Sequence, residues 1–102
     1  MLYLVQENEL IWNRKFQVLY FYSTWIPFHQ KMLLMLDKIR QKFPTIAFFA
    51  IDIDYFEGLV KRFAVESIPA VVVFQGSEEV RRLTGVPTTA HFIAIFDDIC
   101  SY

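Results

Sequence analysis

Phe63-Ala64-Val65-Glu66-Ser67-Ile68-Pro69-Ala70-Val71-Val72-Val73-Phe74 joins the end of a predicted helix to an unbroken apolar run of strand length, Ala70 to Phe74. The run is followed by Gln75-Gly76-Ser77-Glu78, a turn signal, and by a second strand from Glu79 to Thr84. Too few residues separate the two strands for a crossover, so they must pair as an antiparallel hairpin. Beyond the hairpin, Phe92, Ile95, Phe96 and Ile99 recur at helical spacing and predict a last helix from Thr88 to Ile99, with Thr88 or Thr89 as its N-cap.

Upstream, strands and helices alternate. Phe56 to Phe63 reads as a short helix with Leu59, Val60 and Phe63 inward, and Ile46 to Ile53 as a continuous apolar strand. A long helix is predicted from His29 to Lys42. It starts after Pro27 and stops before Phe43-Pro44, because a residue preceding proline avoids the helical region. Met32, Met35, Leu36, Ile39 and Phe43 form its inward stripe, and four consecutive apolar residues, Met32 to Met35, must leave at least one side chain outward. From Phe16 to Tyr22 only Gln17 is polar, the pattern of a central strand covered on both faces. Tyr3 to Val5 reads as a short edge strand and Glu7 to Asn13 as a helical turn. Alternation of this kind implies right-handed crossovers and parallel pairing. The expected fold is therefore α/β, a single domain over residues 1–102 whose central mixed sheet, in the order β-α-β-α-β-β-α, carries helices on both faces.

Composition narrows the function. Apolar residues make up 55% of the 102 and include eleven Phe, against about 45–50% in an ordinary soluble domain. The net charge is −1 with both signs interspersed, so the basic face of a nucleic-acid binder is absent. No apolar run reaches the roughly 18 residues of a membrane span, and Met1 to Val5 lacks the layout of a signal peptide. A cytoplasmic protein with no membrane partner is expected. One cysteine, Cys100, allows neither an intrachain disulfide nor an all-cysteine metal site.

Three stretches resemble the thioredoxin-like family in register. Tyr20-Phe21-Tyr22-Ser23-Thr24-Trp25 is similar to the family's strand leading to an active-site Trp, and Ile51-Asp52-Ile53-Asp54 to its Val-Asp-Val-Asp strand end. The opening stretch, Phe63 to Phe74, is similar to Tyr-Gly-Val-x-Ser-Ile-Pro-Thr-Leu-Leu-Leu-Phe. With Gly85 after the last strand, the resemblance covers about Gln17 to Ile99. It implies the thioredoxin fold, a cis peptide bond between Ile68 and Pro69, and a substrate groove where the Trp25 loop, Ser67-Ile68-Pro69 and Thr84-Gly85-Val86 meet.

The departure falls on the chemistry. Where the family has Trp-Cys-Gly-Pro-Cys, this chain has Trp25-Ile26-Pro27-Phe28-His29. Disulfide exchange needs a thiolate to attack and a second thiol to resolve the mixed disulfide, and neither Ile nor imidazole replaces them. Tyr20 aligns with the family's buried proton-transfer Asp. Leu34 aligns with the proline that kinks the long helix, which implies a straighter one. The leading expectation is a redox-inactive module, with no catalytic residue, cofactor or metal. It would recognise an extended segment of a protein partner, or a second copy of itself, through Trp25, Ile26, Pro27, Phe28, His29, Ile68, Pro69, Gly85 and Val86. The backbone of Ile68, turned outward, would pair with that segment as an added strand. The plainer alternative has the Trp25 loop folded inward to seal the core.

Other candidates carry structural readings. His29, at the positive end of a helix dipole, is expected as a neutral hydrogen-bonding group with a capping or exposed role. His29, His91, Asp97, Asp98 and Cys100 have no metal-ligand spacing, and Cys100 reads as a bystander thiol, with an intermolecular disulfide as its alternative. Asp52 and Asp54, at alternate positions of a strand end, suit local hydrogen bonding better than acid-base work. The sequence leaves two further functions open. One is a glutathione-binding transferase using a hydroxyl of Tyr20, Tyr22, Ser23 or Thr24, against which stand the short chain and Ala70-Val71-Val72 in place of an acidic-Ser pair. The other is a structural subunit that buries its apolar excess in an oligomer.

Overall fold

The computed structural model describes the backbone of Leu2–Tyr3 together with residues 15–100. Its elements are β1 (Leu2–Tyr3), β2 (Gln17–Tyr22), α1 (His29–Lys42), β3 (Ala47–Asp52), α2 (Glu57–Arg62), β4 (Ala70–Gln75), β5 (Glu78–Thr84) and α3 (Thr89–Cys100). Leu4 and Val5 of the first predicted strand, and the predicted turn from Glu7 to Asn13, lie outside the described residues.

The sheet runs β1-β3-β2-β4-β5. β3 is parallel to β1 and β2, while β4 is antiparallel to β2 and β5. All six residues of β2 are buried, and strand alternation sends them to opposite faces. Val18, Tyr20 and Tyr22 join Met32, Met35, Leu36 and Ile39 of α1 and Phe92, Ile95, Phe96 and Ile99 of α3 in one apolar cluster. Leu19 and Phe21 join Ile51, Val72, Phe74 and Leu59 of α2 in the other. Helices on both faces explain why the inner strands are continuously apolar instead of alternating.

Local chemistry sets the element ends. Thr88 caps α3, its Oγ1 accepting the backbone N–H of His91 at 3.2 Å. α1 continues unbroken through Leu34, which is 67% exposed and is the outward residue of the Met32 to Met35 run. Gly76, at φ +62°, makes the two-residue hairpin turn. α2 is one residue shorter at each end than its apolar pattern, since Phe56 and Phe63 are its caps. Val60 and Phe63 are half-buried against the second cluster.

After α2 the chain turns through Ala64, which has φ +52° although it is not glycine. Arg82 of β5 donates from Nη2 to the Phe63 carbonyl at 2.6 Å and from Nη1 to that of Ala64 at 3.0 Å. Glu79 holds the guanidinium from the other side through Nε at 3.0 Å and Nη2 at 2.7 Å. The helix dipole favours a cation at this end. Among the described residues no helix is long and apolar enough to cross a membrane.

Candidate functional site

The register places four loops at one end of the sheet. Tyr22, the last residue of β2, pairs with Asp52, the last of β3, and Ala70, the first of β4, pairs with both Phe21 and Thr84. The Trp25 loop, the β3–α2 turn, the segment before β4 and the segment after β5 therefore meet. The peptide bond between Ile68 and Pro69 is cis. The Pro69 carbonyl accepts the Gly85 N–H at 3.0 Å, which ties the last two segments together. Gly85 has φ +81°, a left-handed conformation that favours glycine, and a Cβ there would meet nothing within 4 Å.

Neither the fully exposed nor the fully inward reading of the Trp25 loop describes it. Backbone bonds from Ile26 to the Ser23 carbonyl, 3.2 Å, and from His29 to that of Ile26, 3.4 Å, fold it into successive turns. These send alternate groups in opposite directions. Trp25 is 71% and Phe28 54% exposed, whereas Ile26 is 8% exposed and belongs to the α1/α3 cluster. Pro27 and Gly85 are exposed, and Ile68 and Val86 are half-buried with their side chains against the core. Ile26, His29 and Pro69, expected as contact residues, are instead buried. They support the surface from beneath. Ile26 is drawn in because an aliphatic side chain gains more from the core than from water.

His29 neither caps α1 nor is exposed. Its ring stacks on Tyr22 at 4.5 Å and 10°, and more distantly on Tyr20 at 5.9 Å and 15°. Nδ1 lies 2.9 Å from the Tyr20 hydroxyl. Burial holds its pKa below the ordinary 6.5, opposed by the Asp52 charge. The expected neutral imidazole fits this setting. The sequence reading missed both Tyr partners and the Asp52 field. The signal was present, since Tyr20 and Tyr22 alternate onto the face covered by α1, whose first residue is His29.

The Asp pair serves the turn. Asp52 Oδ1 accepts the Asp54 N–H at 2.9 Å, and Asp54 Oδ2 accepts the buried Ser23 hydroxyl at 3.2 Å. Of the four hydroxyls considered for a transferase, those of Tyr20, Tyr22 and Ser23 belong to buried residues and Thr24 is exposed. Among the described residues no three His, Cys, Asp or Glu side chains are placed to hold a metal. Asp97 faces Lys42 at 3.6 Å. Cys100 ends α3, about 18 Å along the helix axis from its start beside the loops. Burial, then the Asp97 charge, pushes its thiol pKa up, so little of it is the reactive thiolate.

The thioredoxin family model matches residues 5–98. A thioredoxin H-type protein of Fagopyrum esculentum is 29% identical over 83 residues, covering 72% of each chain. Thioredoxin domain-containing protein 15 of Rattus norvegicus is 28% identical over 76 residues, and the match spans 22% of that longer protein. Among solved structures, oxidised mitochondrial thioredoxin 3 of Saccharomyces cerevisiae superimposes with a TM-score of 0.82 at 26% identity, covering 95% of this chain and 94% of that one. With the family model spanning nearly its whole length and the fold shared with solved thioredoxins, the chain belongs to the thioredoxin family.

Proposed function

We propose that this chain is a thioredoxin-family member that performs no disulfide exchange and acts as a binding module. It holds an extended segment of a protein partner across Trp25, Phe28, Ile68 and Val86. One observation carries the reading. The residues standing where the family has its cysteines, Ile26 and His29, are sealed into the interior, while Trp25 and Phe28 of the same loop project outward. A buried isoleucine and a stacked imidazole supply no thiolate. Large, rigid, exposed aromatics beside half-buried aliphatics are the composition of an interaction hot spot. A segment laid along Ser67-Ile68 would add backbone hydrogen bonds to those apolar anchors, as in strand addition. The reading keeps the cytoplasmic setting expected from the sequence.

Two measurements test it together. An insulin-reduction assay should give no turnover above the uncatalysed rate, and measurable turnover overturns the redox-inactive part. Affinity capture with the intact chain should retain specific proteins that a Trp25→Ala, Phe28→Ala double variant of unchanged circular dichroism does not. Identical captured sets would mean that the partner docks elsewhere.

A further inference from the structure

From Thr24 to His29 only Ile26 and His29 are buried, while Thr24, Trp25, Pro27 and Phe28 face water. The turns between them are closed by backbone bonds of 3.2 Å at Ser23 and 3.4 Å at Ile26. A segment with so few interior contacts belongs to the least stable part of a fold. Of its two inward side chains, one can change its charge. As a neutral ring, His29 accepts the Tyr20 hydroxyl hydrogen at Nδ1, 2.9 Å away, and stacks on Tyr22 at 4.5 Å. As an imidazolium it carries a hydrogen on Nδ1 and can no longer accept that bond. The surroundings do little for the added charge. β2 presents the Tyr20 and Tyr22 phenols, β3 the opposite charge of Asp52, and α1 its own positive dipole end with exposed Lys31 two residues on. β4 and α3 pack Val71, Val73 and Phe92 into the cluster that holds Tyr20, Tyr22 and Ile26, and the His91 of α3 is exposed.

We propose that protonating His29 releases the loop from Thr24 to Phe28 while the sheet stays folded, which makes this loop an acid-sensitive element of the fold. With the loop open, the imidazole meets water and titrates at the ordinary 6.5, above its value in the closed form, so acid favours the open form. Above pH 6.5 the ring is neutral in both forms and the closed loop is undisturbed. In acid Trp25 and Phe28 lose the positions that Ile26 and His29 hold for them, whether or not a partner docks there.

Amide hydrogen exchange followed by NMR on the intact chain, corrected for the intrinsic effect of pH, reads the opening. The Ile26 and His29 amides should be less protected than those of β2 and β3 at every pH. Low urea, which promotes only openings that expose a large surface, should leave them unmoved. Between pH 7.5 and 5.5 their protection should fall roughly three- to tenfold, ten being the limit for a group that titrates at 6.5 when open. In His29→Phe of unchanged circular dichroism the fall should be absent. Loop amides that share the urea dependence of β2 and β3 would open only with the whole fold, and that result in the wild type alone overturns the proposal. So does protection that stays constant down to pH 5.5. An equal fall in His29→Phe overturns it as well, because the acid effect then belongs to another group.

Discussion

The Tyr20 hydroxyl and His29 Nδ1 lie 2.9 Å apart in the interior, one on the central strand and the other on the first turn of α1. With the phenol donating, the imidazole carries its hydrogen on Nε2. Tyr20→Phe deletes the donor and leaves a buried acceptor, which costs about 1–3 kcal/mol. Urea unfolding should show that loss with an unchanged slope.

His29 also makes stability depend on pH. Its folded-state pKa is below the ordinary 6.5, so the folded chain takes up the proton less readily than the unfolded one. Above pH 6.5 the group is neutral in both states and has no effect. As pH falls below 6.5 the unfolded state is protonated first and stability declines, levelling off once pH is below the folded-state pKa. Denaturant midpoints between pH 7.5 and 5 should fall in the wild type and fall less in His29→Phe. Equal slopes would remove His29 as the cause.

Two positions with positive φ should respond in opposite directions. Ala64→Gly relieves a left-handed alanine and should stabilise the fold by about 0.5–1 kcal/mol, after the extra flexibility of glycine in the unfolded chain is subtracted. Gly85→Ala should destabilise by about 1 kcal/mol through backbone strain alone, since its new Cβ meets no neighbour. Thermal unfolding of both variants reads the two signs directly.

Restoring the sulfurs tests what was lost with them. In the Ile26→Cys, His29→Cys variant the two thiols stand at the family's positions, and insulin reduction should rise above the uncatalysed rate. Adding Tyr20→Asp, which supplies the missing proton-transfer carboxylate, should raise it further. A double variant without any gain would show that the loop, and not only its residue types, has departed from the redox form.

Much of this architecture was legible in the sequence because long apolar periods have few interpretations. The helix from His29 to Lys42 has the observed bounds, and the four strands β2 to β5 agree to within about a residue, since Pro44, Gly76 and Thr88 act through local backbone chemistry. Leu34 was readable as the outward residue of a four-residue run for the same reason. The Trp25 loop was harder. Ile26 and Phe28 are both large and apolar, and which one turns inward is decided by turns closed at Ser23 and Ile26 and by the space above α1 and α3. The stack of His29 on Tyr22 depends equally on tertiary placement, so a residue type that suggested a cap turned out to be an interior wedge.

Arg82 joins the sheet edge to the end of α2 through one guanidinium. Neither piece is long enough to persist alone, because α2 has six residues and β5 pairs on one side only. The two should open as a single cooperative unit. Amide protons of the hairpin and of residues 63–65 would then exchange with similar protection, and Arg82→Leu would uncouple them.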